Sequence, residues 1–293
     1  MGNYSYHNLY MAAKQAIRQV DGEMQAEFTA REIVAAATDR TVGQLVADFP
    51  LTVFQRDIQR VQEMVDRYVQ GEPLAYILGQ WDFYGLRLRV NRGVLIPRDD
   101  TEAVTQLAVK KAKVLHQNPR VLDLCAGSGC IGLAIASKVK DARVTLGELS
   151  SAAIRVAKQN IQDNHLSGRV ACMELDAMGS PPRFLGKYDL IVSNPPYVTA
   201  AQMEELDKSV RDYEPRMALY GGEDGLDFYR AIVKNYGPLI RPGGYICFEF
   251  GMDQDTAVCD ILMENGYELE RIARDSGGRA RAVLAKKPED IPG

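Results

Sequence analysis

The sequence predicts an α/β protein: an open, mostly parallel sheet wound with helices, preceded by a small helical bundle and joined to it by a β-hairpin. Three observations lead there. From about residue 120 onward, short apolar runs alternate with segments of helical spacing, the pattern of strands joined by crossover helices. The first run, Arg120-Val121-Leu122-Asp123-Leu124, enters a turn of small residues that opens a helix, Cys125-Ala126-Gly127-Ser128-Gly129-Cys130. Residues 1–72, by contrast, carry helical periodicity and no strand pattern.

The N-terminal bundle is expected over residues 1–72. Thr29 with Glu32, Thr41 with Gln44 and Thr52 with Gln55 read as capping boxes, each pairing a side-chain oxygen with a backbone N–H at a helix start. Phe54, Ile58, Val61, Val65, Tyr68 and Val69 recur at helical spacing, and Gly71 supplies the stop. Such a bundle either binds a partner or braces the sheet domain. Residues 73–97 form a connector in which Leu86, Leu88 and Val90 alternate with Arg87 and Arg89. Tyr84-Gly85 makes the hairpin turn, and the hairpin is expected to close over the cleft of the next domain. Residues 98–293 make the sheet domain, entered by a helix from Thr101 to Lys113. Its strands lie at 120–124, 143–147, 170–175, 188–193 and 244–250, with a helix over about 253–265. Runs at 267–274 and 281–285, turning at Gly277-Gly278-Arg279, match a closing hairpin whose last strand inserts antiparallel. The polar stretch from Thr199 to Arg216 reads as a solvated face.

The turn after the first strand suits a nucleotide-like ligand. Gly127 and Gly129 let a ligand approach the backbone, and the N–H groups at the helix start supply hydrogen bonds. Two acids favour S-adenosylmethionine over a dinucleotide. Asp123 would repel a pyrophosphate, but it can order the loop and attract a cationic methionine end. Glu148, ending the next strand, is placed to accept hydrogen bonds from both ribose hydroxyls. Asp176 ends the third strand, where an adenine should lie, with Ala177 beside it.

The fourth strand runs into Asn194-Pro195-Pro196-Tyr197, a loop suited to gripping a planar NH2 group. An amide or amino-aromatic nitrogen is a poor nucleophile because its lone pair is delocalised, so an alkylating enzyme must aim acceptors at its two hydrogens. The Asn194 side-chain oxygen is one acceptor and the Pro195 carbonyl another, since proline keeps its C=O while losing its N–H. Successive prolines stiffen the loop, and Tyr197 can lie flat against the planar group. Read alone, the four residues serve equally to end a strand and pack a core tyrosine.

Taken together, the Asp-x-x-x-Gly-Ser-Gly turn, the acids ending strands two and three, and Asn-Pro-Pro-Tyr ending strand four resemble one known fold. It is the seven-stranded, Rossmann-like sheet of S-adenosylmethionine-dependent methyltransferases, last strand antiparallel, in enzymes that modify an amide or exocyclic nitrogen. Gly71–Gly79, Ile96–Glu102 and Gly221–Leu226 further resemble the HemK/PrmC family, and the likeness runs from about residue 50 to about 287. The resemblance implies methyl transfer from S-adenosylmethionine, leaving S-adenosylhomocysteine, to the glutamine N5 of the Gly-Gly-Gln loop in peptide chain release factors. Those factors would be protein partners, docking in part on the helical domain. Asp123, Cys125, Ala126, Gly127, Ser128, Gly129, Glu148, Asp176, Ala177 and Asn194 become candidates for the donor. Asn194, Pro195, Pro196 and Tyr197, with Arg98, Thr101 and Glu102, become candidates for the acceptor, and catalysis is expected of Asn194, Pro195 and Tyr197. The chain departs from the family pattern at Asp99 (for a second proline), Cys125 (for a turn glycine) and Ala177 (for an aromatic residue), which bears on the adenine contacts. Alternatives are a ribosomal-protein glutamine-N5 methyltransferase, a DNA adenine-N6 methyltransferase, and a partner-binding module that keeps the fold without activity.

Composition narrows these. A net charge of −4 offers no broad basic footprint, and base extrusion from DNA would want a basic groove and a target-recognition domain. Five cysteines without paired metal spacing read as reduced thiols, with no metal expected. Residues 1–10 are polar, without a secretory signal pattern, and no apolar run approaches the roughly 20 residues of a membrane span. The expectation is a monomeric cytoplasmic enzyme with no membrane contact and no sequence-specific nucleic-acid binding.

Overall fold

The computed structural model describes residues 4–275 and 277–289. The chain divides into two compact units. One takes the chain up to Gln80 together with Asp207–Tyr213, the other Trp81–Leu206 and the chain from Glu214 onward.

The first unit is helical: α1 (Tyr6–Ile17), α2 (Glu23–Ala37), α3 (Val42–Ala47), α4 (Gln55–Val69) and α5 (Leu74–Leu78). Ile17, Ala26, Ala30, Ile33, Val34 and Leu45 are fully enclosed, the alanines letting α2 approach its neighbours closely. Thr41 and Gln44 do form a capping box on α3, with N–H to side-chain oxygen distances of 3.2 and 2.9 Å. The other two expected boxes cap nothing. Thr29 lies inside α2, which starts a turn and a half earlier, and α4 is preceded by Phe54, whose side chain has no acceptor. Ser5 with Asn8 caps α1 instead. The apolar stripe of α4 is also narrower than its spacing predicts: Val61 and Val65 are buried, whereas Phe54 and Val69 are 62% and 40% exposed. Asp57, on the buried face, is satisfied by the Tyr6 hydroxyl at 3.1 Å.

The second unit opens with the hairpin β1 (Gln80–Phe83) and β2 (Leu86–Arg89), its strands joined by Tyr84 and Gly85 at φ +50° and +80°, the left-handed pair of a tight hairpin turn. Next in the chain are α6 (Thr101–Val114), β3 (Arg120–Leu124), α7 (Cys130–Lys138), β4 (Arg143–Glu148), α8 (Ser151–Asp163), β5 (Val170–Glu174) and β6 (Tyr188–Ser193). After these come α9 (Ala200–Glu205), α10 (Lys208–Arg211, in the first unit), α11 (Asp227–Tyr236), β7 (Ile240–Glu249), α12 (Asp255–Glu264), β8 (Glu268–Arg274) and β9 (Ala280–Lys286). The seven sheet strands lie in the order β5-β4-β3-β6-β7-β9-β8. All pair parallel except β9, which runs antiparallel between β7 and β8, as the closing hairpin requires.

Strands buried on both faces explain the continuous apolar runs of the sequence. Val121, Leu190 and Val192 face α6 and α7 in one core, while Leu122, Leu124 and Ile191 face α11 and α12 in the other. The hairpin does not cover the cleft. It is fastened to α8, where the Asn160 amide accepts from Arg89 N–H at 2.7 Å and donates to Arg89 C=O at 3.1 Å, satisfying an edge strand that would otherwise stay open. It is the segment after the hairpin, Gly93 to Pro97, that reaches the cleft.

Candidate active site

The chain reverses its strand order between β3 and β6, and the C-terminal ends of β3 to β6 open there on a cleft of about 970 Å3. Ligands of open α/β sheets bind at such a switch point. Cys125, Ala126, Gly127 and Ser128 form its floor, with Glu148, Asp176, Ala177 and Asn194 around it. The floor is held from below. Asp123 is 1% exposed and its Oδ2 accepts from Gly132 N–H at 2.8 Å, tying β3 to the first turn of α7. Helix and strand meet closely because residue 132 is glycine: a Cβ there would lie 2.3 Å from Leu146 Cδ2. Glu148 closes the turn from the side, its Oε2 accepting from Gly127 N–H at 2.8 Å and its Oε1 from Leu149 and Ser150 at 2.8 Å each. Asp176 Oδ1 takes the Met178 N–H at 2.9 Å. Ser128 is 2% exposed and its hydroxyl has no partner, a polar atom at the cleft wall able to take a ligand's.

Cys125 holds φ +57°, the left-handed region where glycine costs least. Its departure from the family's glycine therefore keeps the turn's shape at a backbone cost of roughly 1–2 kcal/mol.

The Asn194–Tyr197 loop stands as a wall at the end of β6. Asn194 and Pro196 face the cleft; Tyr197 and Val198 face an open groove on the other side, with Gln202, Gly251 and Arg281. Asn194 Nδ2 donates to Thr101 Oγ1 at 3.3 Å. Three contacts brace the loop from behind. Gln254 Nε2 donates to Tyr197 C=O at 3.1 Å, Val198 N–H to Leu219 C=O at 2.8 Å, and Gly221 N–H to Val198 C=O at 2.9 Å. The glycines of Gly221-Gly222-Glu223-Asp224-Gly225 permit this: a Cβ on Gly221 would lie 2.5 Å from Pro196 C=O, and one on Gly225, already at φ +74°, 2.3 Å from Tyr197 C=O.

Comparison with known proteins fits this geometry. A family profile described as the methyltransferase small domain matches residues 91–210, and one described as the PrmC N-terminal domain matches residues 9–79. A release factor glutamine methyltransferase of Clostridium acetobutylicum is 37% identical over 82% of this chain and 84% of its own length. One of Thermodesulfovibrio yellowstonii is 31% identical over 96% of this chain and all of its own. The chain belongs to the release factor glutamine methyltransferase family. A further relative with that name, from Fusobacterium nucleatum, is 38% identical over 80% of this chain, which spans just under two thirds (65%) of that relative's length. Two solved structures share the fold alone. They are a methyltransferase from Pyrococcus furiosus (TM-score 0.52, 18% identity, 78% of this chain and 99% of that one) and the hMettl16 catalytic domain in complex with MAT2A 3′UTR hairpin 6 (0.55, 17%, 71% and 78%).

In this member of the methyltransferase family, not every expected residue meets the cleft. Asp123 and Gly129 lie beneath it; Gly129, at φ +84°, serves the turn and the packing on Leu146. Pro195 is buried behind the wall. Glu102 is exposed on α6 and absent from the cleft, and Arg98 is bound to Glu214, which is 6% exposed and also accepts from Ile96 N–H at 3.3 Å. Arg98 therefore clamps the cleft's rim instead of reaching a ligand. Thr101 does line the cleft. Leu149, Met178, Met217 and Phe228 also line it, and sequence reasoning misses them, since isolated apolar residues carry no periodic or chemical signal. Among the described residues no helix is long and apolar enough to cross a membrane.

Proposed function

We propose that this protein transfers the methyl group of S-adenosylmethionine to the side-chain amide nitrogen of the Gly-Gly-Gln glutamine in peptide chain release factors. The observation that carries the reading is Asn194: it stands at the cleft wall with its Nδ2 occupied by Thr101, which leaves Oδ1 for an incoming NH2. Bound donor would supply a methyl on a sulfonium, whose sulfur departs readily. The residues present fit it: Gly127 with open space where a side chain would stand, the unpartnered Ser128 hydroxyl, and the Glu148 and Asp176 carboxylates for ribose and adenine. Asn194 Oδ1 and the Pro195 carbonyl hold the acceptor nitrogen in line, and position alone can lower such a barrier by about 7–11 kcal/mol in favourable cases. The acceptor side chain enters from the groove side, across Tyr197, so the loop separates donor from acceptor until they meet at Asn194.

The direct test is transfer of radiolabelled methyl from S-adenosylmethionine to purified release factor, to the same factor with its Gly-Gly-Gln glutamine replaced, and to adenine-containing DNA. Label confined to the unaltered factor is expected. Label on DNA would replace this reading with adenine-N6 transfer, and label on none would leave a partner-binding module.

A further inference from the structure

The end of β7 holds a carboxylate to which methyl transfer at the cleft assigns no work so far. Glu249 is 1% exposed, and its Oε2 has no hydrogen-bond partner. Strand register fixes its place. Ser193 of β6 is level with Phe248 of β7, so Asn194 and Glu249, one residue on, lie side by side. Cys247, two residues before Glu249 and therefore on the same face, has its Sγ 3.9 Å from the Val104 carbonyl of α6. Glu249 is thus directed at the start of that helix, where Thr101 accepts from Asn194 Nδ2. Thr101 and Asn194 both reach its carboxyl.

A primary amide presents C=O and NH2 in nearly the same shape, so its neighbours must decide which end points where. Thr101 cannot decide, because a hydroxyl both donates and accepts. A carboxylate only accepts. We propose that Glu249 is a positioning residue for methyl transfer: its carboxylate holds the Asn194 amide with Nδ2 turned inward, so that Oδ1 faces the acceptor nitrogen. In the reversed orientation two N–H groups would confront the incoming NH2. This inference rests on the acceptor role proposed for Asn194.

The groups facing Glu249 are Asp100 and Thr101 at the start of α6, Arg281 on β9, Tyr197 in the loop, Tyr229 on α11 and Cys130 on α7. Arg281 is spent on Asp100 and Asp275 at 3.0 and 2.9 Å. Burial pushes the Glu249 carboxyl up to about 8, so the accepting form is gained as pH rises.

The test is a double-mutant cycle on the full chain, with S-adenosylmethionine and release factor as substrates. Glu249→Gln keeps the shape and restores the ambiguity. It should lower kcat about tenfold, on the scale of one misdirected hydrogen bond, with the donor KM unchanged and the rise of kcat through about pH 8 flattened. In an Asn194→Ala background the same change should cost less than about twofold, because coupled residues are not additive. Melting and calorimetric donor binding check that each variant is folded. Wild-type kcat and pH profile in Glu249→Gln, or an equal loss in both backgrounds, would overturn the inference. Absence of transfer by the wild-type protein would instead sink the proposed function.

Discussion

At the scale of single residues, two side chains of similar size do opposite things at the strand ends. Asp123 and Glu148 both accept backbone N–H groups of the turn, but Asp123 lies beneath the cleft, while Glu148 lines it. Asp123 has one oxygen bonded and the other without a partner, and burial pushes it up to about 7. Its work is to hold the turn, which an asparagine of the same shape can also do. Asn194 is different, since among the described residues no other at the wall offers an amide oxygen beside Thr101. Asn194→Ala should lower kcat about 100-fold, by the measure of losing one aimed hydrogen-bond partner, with calorimetric donor affinity kept within a few-fold. Unchanged turnover would remove Asn194 from the mechanism.

At the scale of elements, the loop after β6 is rigid because other segments leave it no room. Gly225→Ala places a Cβ against the Tyr197 carbonyl and Gln254 Nε2 at an already left-handed φ. A loss of about 1–3 kcal/mol in denaturant stability is expected, together with a drop in kcat and little change in donor binding. The far end of the sheet is held by Asp189 in β6, which is 4% exposed. It accepts from Arg120 N–H at 2.7 Å and from His116 Nε2 at 2.9 Å, and it pairs with Arg241. Asp189→Asn should therefore destabilise the sheet unit by about 1–3 kcal/mol, the upper values discounted because both cations are partly exposed. Methyl transfer, at the other end of the strands, should be unaffected in the surviving folded protein.

Over the whole molecule these groups make stability depend on pH with a definite sign. Asp189 has its carboxyl held below the usual range: burial raises it, and the Arg120 N–H, Arg241 and His116 outweigh that. Its contribution is present above about pH 4 and is lost as pH falls through the lower folded value. Asp123 and Glu249 act the other way. Their folded values, about 7 and about 8, lie above the unfolded ones near 4, so the stability associated with their protonated forms is full below about pH 4 and declines as pH rises toward 7 and 8. Asp123→Asn should then gain more in melting temperature at pH 8.5 than at pH 5. An equal gain at both would show that Asp123 is not carrying a buried ionisation.

Much of this architecture is legible in the amino-acid order alone. The alternating runs from Arg120 to Ala285 foretell the sheet and its antiparallel closure, and the turn from Cys125 to Cys130 and the Asn194–Tyr197 loop announce a cleft between them. Each of those signals is local: a strand run, a glycine turn or a stiff proline pair declares its chemistry within a few residues. Three decisions are not local. Tyr197 faces the groove and not the cleft, Arg98 is held by Glu214 across more than a hundred residues of chain, and Glu249 stands beside Asn194. These arise from the register of β6 against β7 and from which helix covers which face. Such pairings are chosen by the burial of the whole sheet at once, and no short stretch of sequence contains them.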